Sequence, residues 1–109
     1  MSKYIMGIES SCDDTGVSII KDEKELLANV VSSQIDVHAK YGGVMPEIAS
    51  RLHAENITIC IEKALNDANL TFKDLSAVAV TSGPGLIGAL HVGLQAAKTI
   101  SLVHDIPLI

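Results

Sequence analysis

Tyr4-Ile5-Met6-Gly7-Ile8-Glu9-Ser10-Ser11-Cys12-Asp13-Asp14-Thr15-Gly16-Val17-Ser18-Ile19-Ile20-Lys21 sets two apolar runs around an acidic, hydroxyl-rich middle. Short runs rich in Ile and Val and bounded by turn residues predict strands, here over residues 4–8 and 15–21. Gly7 and Gly16 flank residues 9–14, which read as a loop where the backbone turns tightly and a ligand can approach it closely. The polar turn Asp22-Glu23-Lys24-Glu25 follows, and a third strand is expected over residues 26–32. The three strands are expected as antiparallel neighbours.

Working outward, residues 34–44 are irregular and hold His38, Tyr41 and Gly42-Gly43 before Pro46 opens a helical pattern. Proline suits a first turn, where its missing N–H is not needed. Ala49, Leu52, Ile57, Cys60, Ile61, Ala64, Leu65 and Ala68 recur three and four residues apart, which predicts one buried face of a helix ending near Asn69. Residues 75–81 form a nearly unbroken run of small apolar residues, suited to a strand covered on both faces, with residues 70–74 as its approach loop. After Ser82-Gly83-Pro84-Gly85, a second helix is expected from Leu86 to near His104, with Gly88, Ala89, Gly93, Ala96 and Ala97 letting it sit close to a sheet. Ile106-Pro107-Leu108-Ile109 reads as the beginning of another strand. The order is β-β-β-α-β-α, an α/β fold.

The 109 residues carry 8 Lys and Arg against 13 Asp and Glu, a formal net charge of −5. An autonomous nucleic-acid binder needs a basic stripe to meet phosphates, and the sequence shows none. Hydrophobic residues make up 48% of the chain although Phe72 is the only Phe and there is no Trp, so the core must be built from Ile, Val, Leu and Ala. The first residues offer neither the apolar stretch of a signal peptide nor a membrane span, which points to the cytoplasm and to no membrane partner. Cys12 and Cys60 are isolated and read as reduced thiols, not as a disulfide framework or metal cluster.

Two segments have residue types that carry chemistry. Glu9, Asp13 and Asp14 lie within six positions, and carboxylates so close repel one another unless they are protonated, solvated or bridged by a cation; a Mg²⁺-nucleotide role and a solvated acidic turn both fit. Ser82-Gly83-Pro84-Gly85 between a strand and a helix can present backbone N–H groups to an anion, although it lacks the lysine of a P-loop; a plain tight turn is the alternative. His38, His53, His91 and His104 have no i,i+4 pairing, so no metal site is assigned to them. Cys12 has no adjacent histidine to activate it as a nucleophile.

Residues 7–16, together with His38, residues 41–53 (Tyr-Gly-Gly-Val-Met-Pro-Glu-Ile-Ala-Ser-Arg-Leu-His) and residues 82–88 (Ser-Gly-Pro-Gly-Leu-Ile-Gly), resemble the N-terminal part of the TsaD/Kae/Gcp family. The resemblance implies an actin-like ATPase/sugar-kinase (ribonuclease-H-like) fold in which two related domains enclose a nucleotide-containing site. It further implies a tRNA N6-adenosine threonylcarbamoyltransferase, which moves the threonylcarbamoyl group from its AMP adduct to adenosine 37. The family's older name, O-sialoglycoprotein endopeptidase, finds no support, because Glu47 and His53 do not make an HExxH pair.

By the same resemblance, Asp13 and Asp14 occupy acidic catalytic-loop positions and Glu9 supports that loop. Ser11, Ser82, Gly83 and Gly85 are expected to hold the nucleotide part of a threonylcarbamoyl-AMP or adenine nucleotide. Asp14 stands where the family more often has Glu, keeping the charge but shortening its reach by one methylene. Residues 1–109 are expected to be an incomplete first domain, inactive alone, that binds no cofactor tightly by itself. The family's HxxxH pair for iron or zinc and its second domain would follow the strand entered at Pro107. Expected partners are a TsaB-like subunit, a TsaE-like ATPase and tRNA, or a second copy of the 1–109 chain. A noncatalytic module like the TsaB partner is the alternative, and the acidic loop argues against it.

Overall fold

The computed structural model describes residues 2–11, 14–33, 46–80 and 87–109, excepting the side chains of 11, 33, 46–50, 52, 53 and 87–91. Strands β1 (Tyr4–Ser11), β2 (Asp14–Lys21) and β3 (Glu25–Ser33) are followed by helix α1 (Pro46–Ala68), a short 3₁₀ turn (Phe72–Asp74), β4 (Ala77–Val80) and helix α2 (Ile87–His104). The sheet order is β3-β2-β1-β4, with β1 antiparallel to β2 and parallel to β4. The expected order of elements is therefore present.

The β2–β3 turn is stabilised by its own polar residues. Asp22 and Glu23 take positive φ of 53° and 62°, and the Asp22 carboxylate accepts the Lys3 N–H at 2.8 Å. One irregularity follows, because Ile19 pairs with Ala28 but Ile20 pairs with Leu26. Leu27 is thus the extra residue of a bulge, packing partly against the core while Leu26 faces solvent.

Both helices stop by the same device. Asn69 has a φ of 57°, its N–H bonds to the Asn66 carbonyl at 3.1 Å, and the Leu70 N–H bonds to the Leu65 carbonyl at 2.9 Å. That is a Schellman motif with Asn in the left-handed position. At the end of α2, Asp105 takes this position with a φ of 54°, and the Ile106 N–H reaches the Ser101 carbonyl at 3.0 Å. The chain then returns beside β4, where Val78 bridges Leu108 in the parallel sense. This agrees with the strand expected at residues 106–109, of which one bridge is formed. Residues 70–74 hold a 3₁₀ turn where a loop was expected, because the Asp74 carboxylate accepts the Thr71 N–H at 2.8 Å. Phe72 on this turn stacks on His104, with ring centroids 4.4 Å apart.

One face of the sheet meets the helices. Met6, Ile8, Val17, Ile19, Ala28, Val30 and Val78 pack against Ile57, Cys60, Ile61, Ala64 and Leu65 of α1 and Ala97 and Ile100 of α2. The periodicity expected for α1 is confirmed at every position from Ile57 to Leu65; Ala49 and Leu52 lie outside the described side chains. Cys60 is buried and free, and burial pushes its thiol above the ordinary value of 9.0. The folded chain keeps a proton there that the unfolded chain releases. Stability from this group is thus complete below pH 9.0 and is lost as pH rises through the folded-state value. Urea titrations from pH 8 to pH 11 should show stability falling by at most about 1.4 kcal/mol per pH unit from this one proton. The slope should be correspondingly shallower in Cys60→Ala, and identical slopes would reject the assignment.

Candidate functional site

The acidic segment is built differently from the loop that its polarity predicts. Glu9, Ser10 and Ser11 continue β1, and Asp14 begins β2, in the register Glu9↔Gly16, Ser10↔Thr15 and Ser11↔Asp14. The reason is burial on the helical side of the sheet: Ser10 and Thr15 are 1% and 0% exposed, and the Ser10 Oγ accepts the Gly93 N–H of α2 at 2.9 Å. A polar stretch given a buried partner is held in the ladder instead of turning out into water. Only Cys12 and Asp13 lie between the two strands in sequence, and both fall outside the described residues.

Successive strand residues point to opposite faces, so Glu9 and Asp14 stand on the face away from the helices, with Asp14 half-buried and Glu9 exposed. In the antiparallel register they are diagonal neighbours, close enough for their charges to act on a shared ligand. The open face beside Glu9 holds a hollow of about 340 Å³ lined by Gly7, Gly16, Ser18, Asn29, Val31 and Ala79, among others. Two glycines and an alanine leave the sheet backbone bare there, and a Cβ on Gly7 would lie 3.1 Å from the Ser18 Oγ. Gly7 and Gly16 flank the expected loop and lie inside the strands expected over residues 4–8 and 15–21; their alternation with Ile8 and Val17 is the signal for a bare sheet face.

β1 and β4 run parallel with Ile8 opposite Val80, so the segments leaving β1 after Ser11 and β4 after Val80 depart from one edge of the sheet. Ligands of α/β sheets bind at this edge, outside the carboxyl ends of the strands. Ser82, Gly83 and Gly85 belong to the second of these segments but lie outside the described residues, and of Ser11 only the backbone is described. Of the expected site residues, the structure thus brings together Glu9, the Ser11 backbone and Asp14. Ser10, whose hydroxyl in a solvated acidic turn would bond to nearby backbone, is instead tied to α2. Among the described residues, no three of His, Cys, Asp and Glu come together to hold a metal ion.

On the helical side, a groove of about 540 Å³ runs between the helices, lined by Ala54, Ile57, Thr58, Ile61, Phe72, Val92, Ala96, Thr99 and Ile100 among others. Its walls are mainly apolar. Among the described residues, no helix is long and apolar enough to cross a membrane.

The family model for TsaD, tRNA N6-adenosine threonylcarbamoyltransferase, matches residues 25–109. The chain belongs to this family. Curated relatives described as tRNA N6-adenosine threonylcarbamoyltransferase agree with that match. The protein of Lactiplantibacillus plantarum is 59% identical over 105 residues, covering 96% of this chain and 30% of the relative. That of Streptococcus sanguinis is 57% identical over 107 residues, covering 98% and 32%. That of Bacillus anthracis is 57% identical over 105 residues, covering 96% and 31%. The chain therefore spans about a third of the length of the curated relatives it matches.

Solved structures show the fold. YeaZ from Pseudomonas aeruginosa superposes with a TM-score of 0.75 at 17% identity, covering 98% of this chain and 42% of that one. T. thermophilus RuvC in complex with Holliday junction substrate superposes with a TM-score of 0.57 at 16% identity, covering 97% and 62%. With the β3-β2-β1-β4 sheet and the β-β-β-α-β-α order, these likenesses establish the actin-like, ribonuclease-H-like fold expected of TsaD-family members.

Proposed function

We propose that the whole protein containing this chain transfers the threonylcarbamoyl group from threonylcarbamoyl-AMP to the exocyclic amine of adenosine 37 in tRNA. The observation that carries this reading is the family match over residues 25–109. In the reaction, the adenosine N6 attacks the carbamoyl carbonyl carbon, the bond from that carbon to the phosphate oxygen breaks, and AMP leaves as an anion. The N6 lone pair is delocalised into the purine ring, so the amine is a weak nucleophile and must lose a proton as the new C–N bond forms. A carboxylate held at the sheet edge is suited to accept that proton and to orient the amine.

We assign this role to Asp13, with Asp14 contributing negative charge beside it and Glu9 supporting the hairpin from the open face. Ser82, Gly83 and Gly85 are assigned to the nucleotide part of the adduct, because backbone N–H groups at a strand-to-helix connection favour phosphate, and Ser11, at the end of β1, is assigned to the same ligand. The described residues do not supply a donor set for the iron or zinc expected of the full-length enzyme, so no step is routed through a metal. A TsaB-like subunit is proposed to dock on the groove between α1 and α2, whose mainly apolar lining would otherwise face water.

The direct test is incorporation of labelled threonine into tRNA from preformed threonylcarbamoyl-AMP. The complete protein with its TsaB-like and TsaE-like partners is expected to modify tRNA carrying A37 and to leave tRNA carrying G37 unlabelled; residues 1–109 alone are expected to give no transfer. Equal labelling of both tRNAs would overturn the substrate assignment. Robust transfer by the isolated 1–109 chain would show that the site is complete within it.

A further inference from the structure

We infer that the buried pair Ser10–Gly93 is a positioning contact that fixes α2 against the acidic hairpin and so sets the geometry of the adduct site; this rests on the transferase reading above. The contact is constrained from both sides. The Gly93 N–H, which in a helix interior ordinarily serves the carbonyl four residues back, points at the Ser10 Oγ 2.9 Å away. A Cβ on Gly93 would come to 2.5 Å from the same oxygen and 3.5 Å from the Ile8 Cγ2. The hydrogen bond opposes separation of helix and strand, and the missing side chain permits their approach.

The position of this contact gives it a functional consequence. Ser10 pairs with Thr15, and the next pair in the ladder is Ser11↔Asp14, the last before the acidic connection. Gly93 lies six residues into α2, about 9 Å along the axis from its first residue. One contact therefore ties the tip of the hairpin to the helix that follows the Ser82–Gly85 segment in sequence. A hydroxyl–amide bond adds only modestly to stability. What the polar pair supplies is a fixed direction and spacing, and displacements of about 1 Å near reacting groups can cost about a hundredfold in rate.

The test uses the complete protein with its partners and the variants Gly93→Ala, Ser10→Ala and the double variant. Gly93→Ala is expected to raise KM for threonylcarbamoyl-AMP on the order of tenfold, and Ser10→Ala about threefold. The double variant should recover most of the Gly93→Ala loss, because without the oxygen the new methyl meets the residue-10 Cβ at 3.4 Å. Amide hydrogen exchange should quicken at residues 9–16 and in the first turns of α2 while the β2–β3 turn is unchanged. Variants that differ only in Tm, with KM and kcat per folded molecule unaltered, would overturn the proposal, as would an exchange increase spread evenly over the sheet. If Gly93→Ala fails to fold, Ser10→Ala and the double variant give the same decision. If the unsubstituted protein transfers nothing, the transferase reading fails, and the exchange pattern alone decides whether this contact positions the hairpin.

Discussion

Replacing Asp13 by Asn in the complete protein is expected to lower threonylcarbamoyl transfer by about a hundredfold or more while leaving folding intact, the range typical of losing a general base. The substitution keeps the size and planarity of the side chain and removes its charge and its capacity to accept a full proton. Folding should be insensitive because the ladder that fixes this hairpin is made by other residues: Ser10 and Thr15 are buried, Ser10 accepts the Gly93 N–H of α2, and Ser11 pairs with Asp14. The effect should therefore appear in kcat at saturating adduct and tRNA, with near-native Tm and near-native elution volume. Because the variant cannot take the amine proton in the transition state, raising the adduct concentration should not restore the rate. Unchanged transfer at saturating intermediate would remove Asp13 from the chemical step and leave the acidic hairpin with an electrostatic role only.

How far the sequence led depended on whether a signal was local or came from packing. The α1 face from Ile57 to Leu65 was legible because helical spacing of apolar residues reports burial directly. The end of α1 was legible too, since Asn69 tolerates the left-handed conformation that stops it. Asp105 stops α2 by the same geometry, but an aspartate carries that signal more weakly, and the boundary was placed from the apolar pattern instead.

Glu9, Ser10, Ser11 and Asp14 lie in strands where a loop is expected, because polar residues look solvent-seeking when taken singly. Ser10 is buried where Gly93, 83 residues further along the chain, brings α2 down onto it. No window of local sequence contains that contact. The small residues of the last helix did announce a close approach to the sheet, and Gly93 is where it occurs; what they did not reveal was the strand residue on the other side. The open face shows the same limit, since Gly7 and Gly16 were recognised as unusual while the hollow they create with Ser18 and Ala79 depends on strand pairing.

Replacing Thr99 by Arg in the complete protein is expected to weaken binding of a TsaB-like subunit by at least about a hundredfold, with Tm changed little, if the groove between α1 and α2 is the docking face. Thr99 lines that groove yet is itself exposed. Its hydroxyl only bonds back to the Gln95 carbonyl of its own helix, at 2.9 Å, so its removal leaves no distant group unpaired. In the free protein an arginine there can lay its stem along the helix and keep its guanidinium in water. In the complex the same charge would be enclosed by an apolar surface, and a buried charge without a partner costs far more than the methyl contact it replaces. A charge change at Lys24, on the β2–β3 turn and outside the groove lining, controls for long-range electrostatics. Sedimentation velocity over a concentration series, with and without the subunit, reads both association with the partner and self-association through the same face. Undiminished binding by Thr99→Arg, with Lys24→Glu equally unaffected, would move the docking surface elsewhere and leave the groove as an incompletely packed seam between two helices.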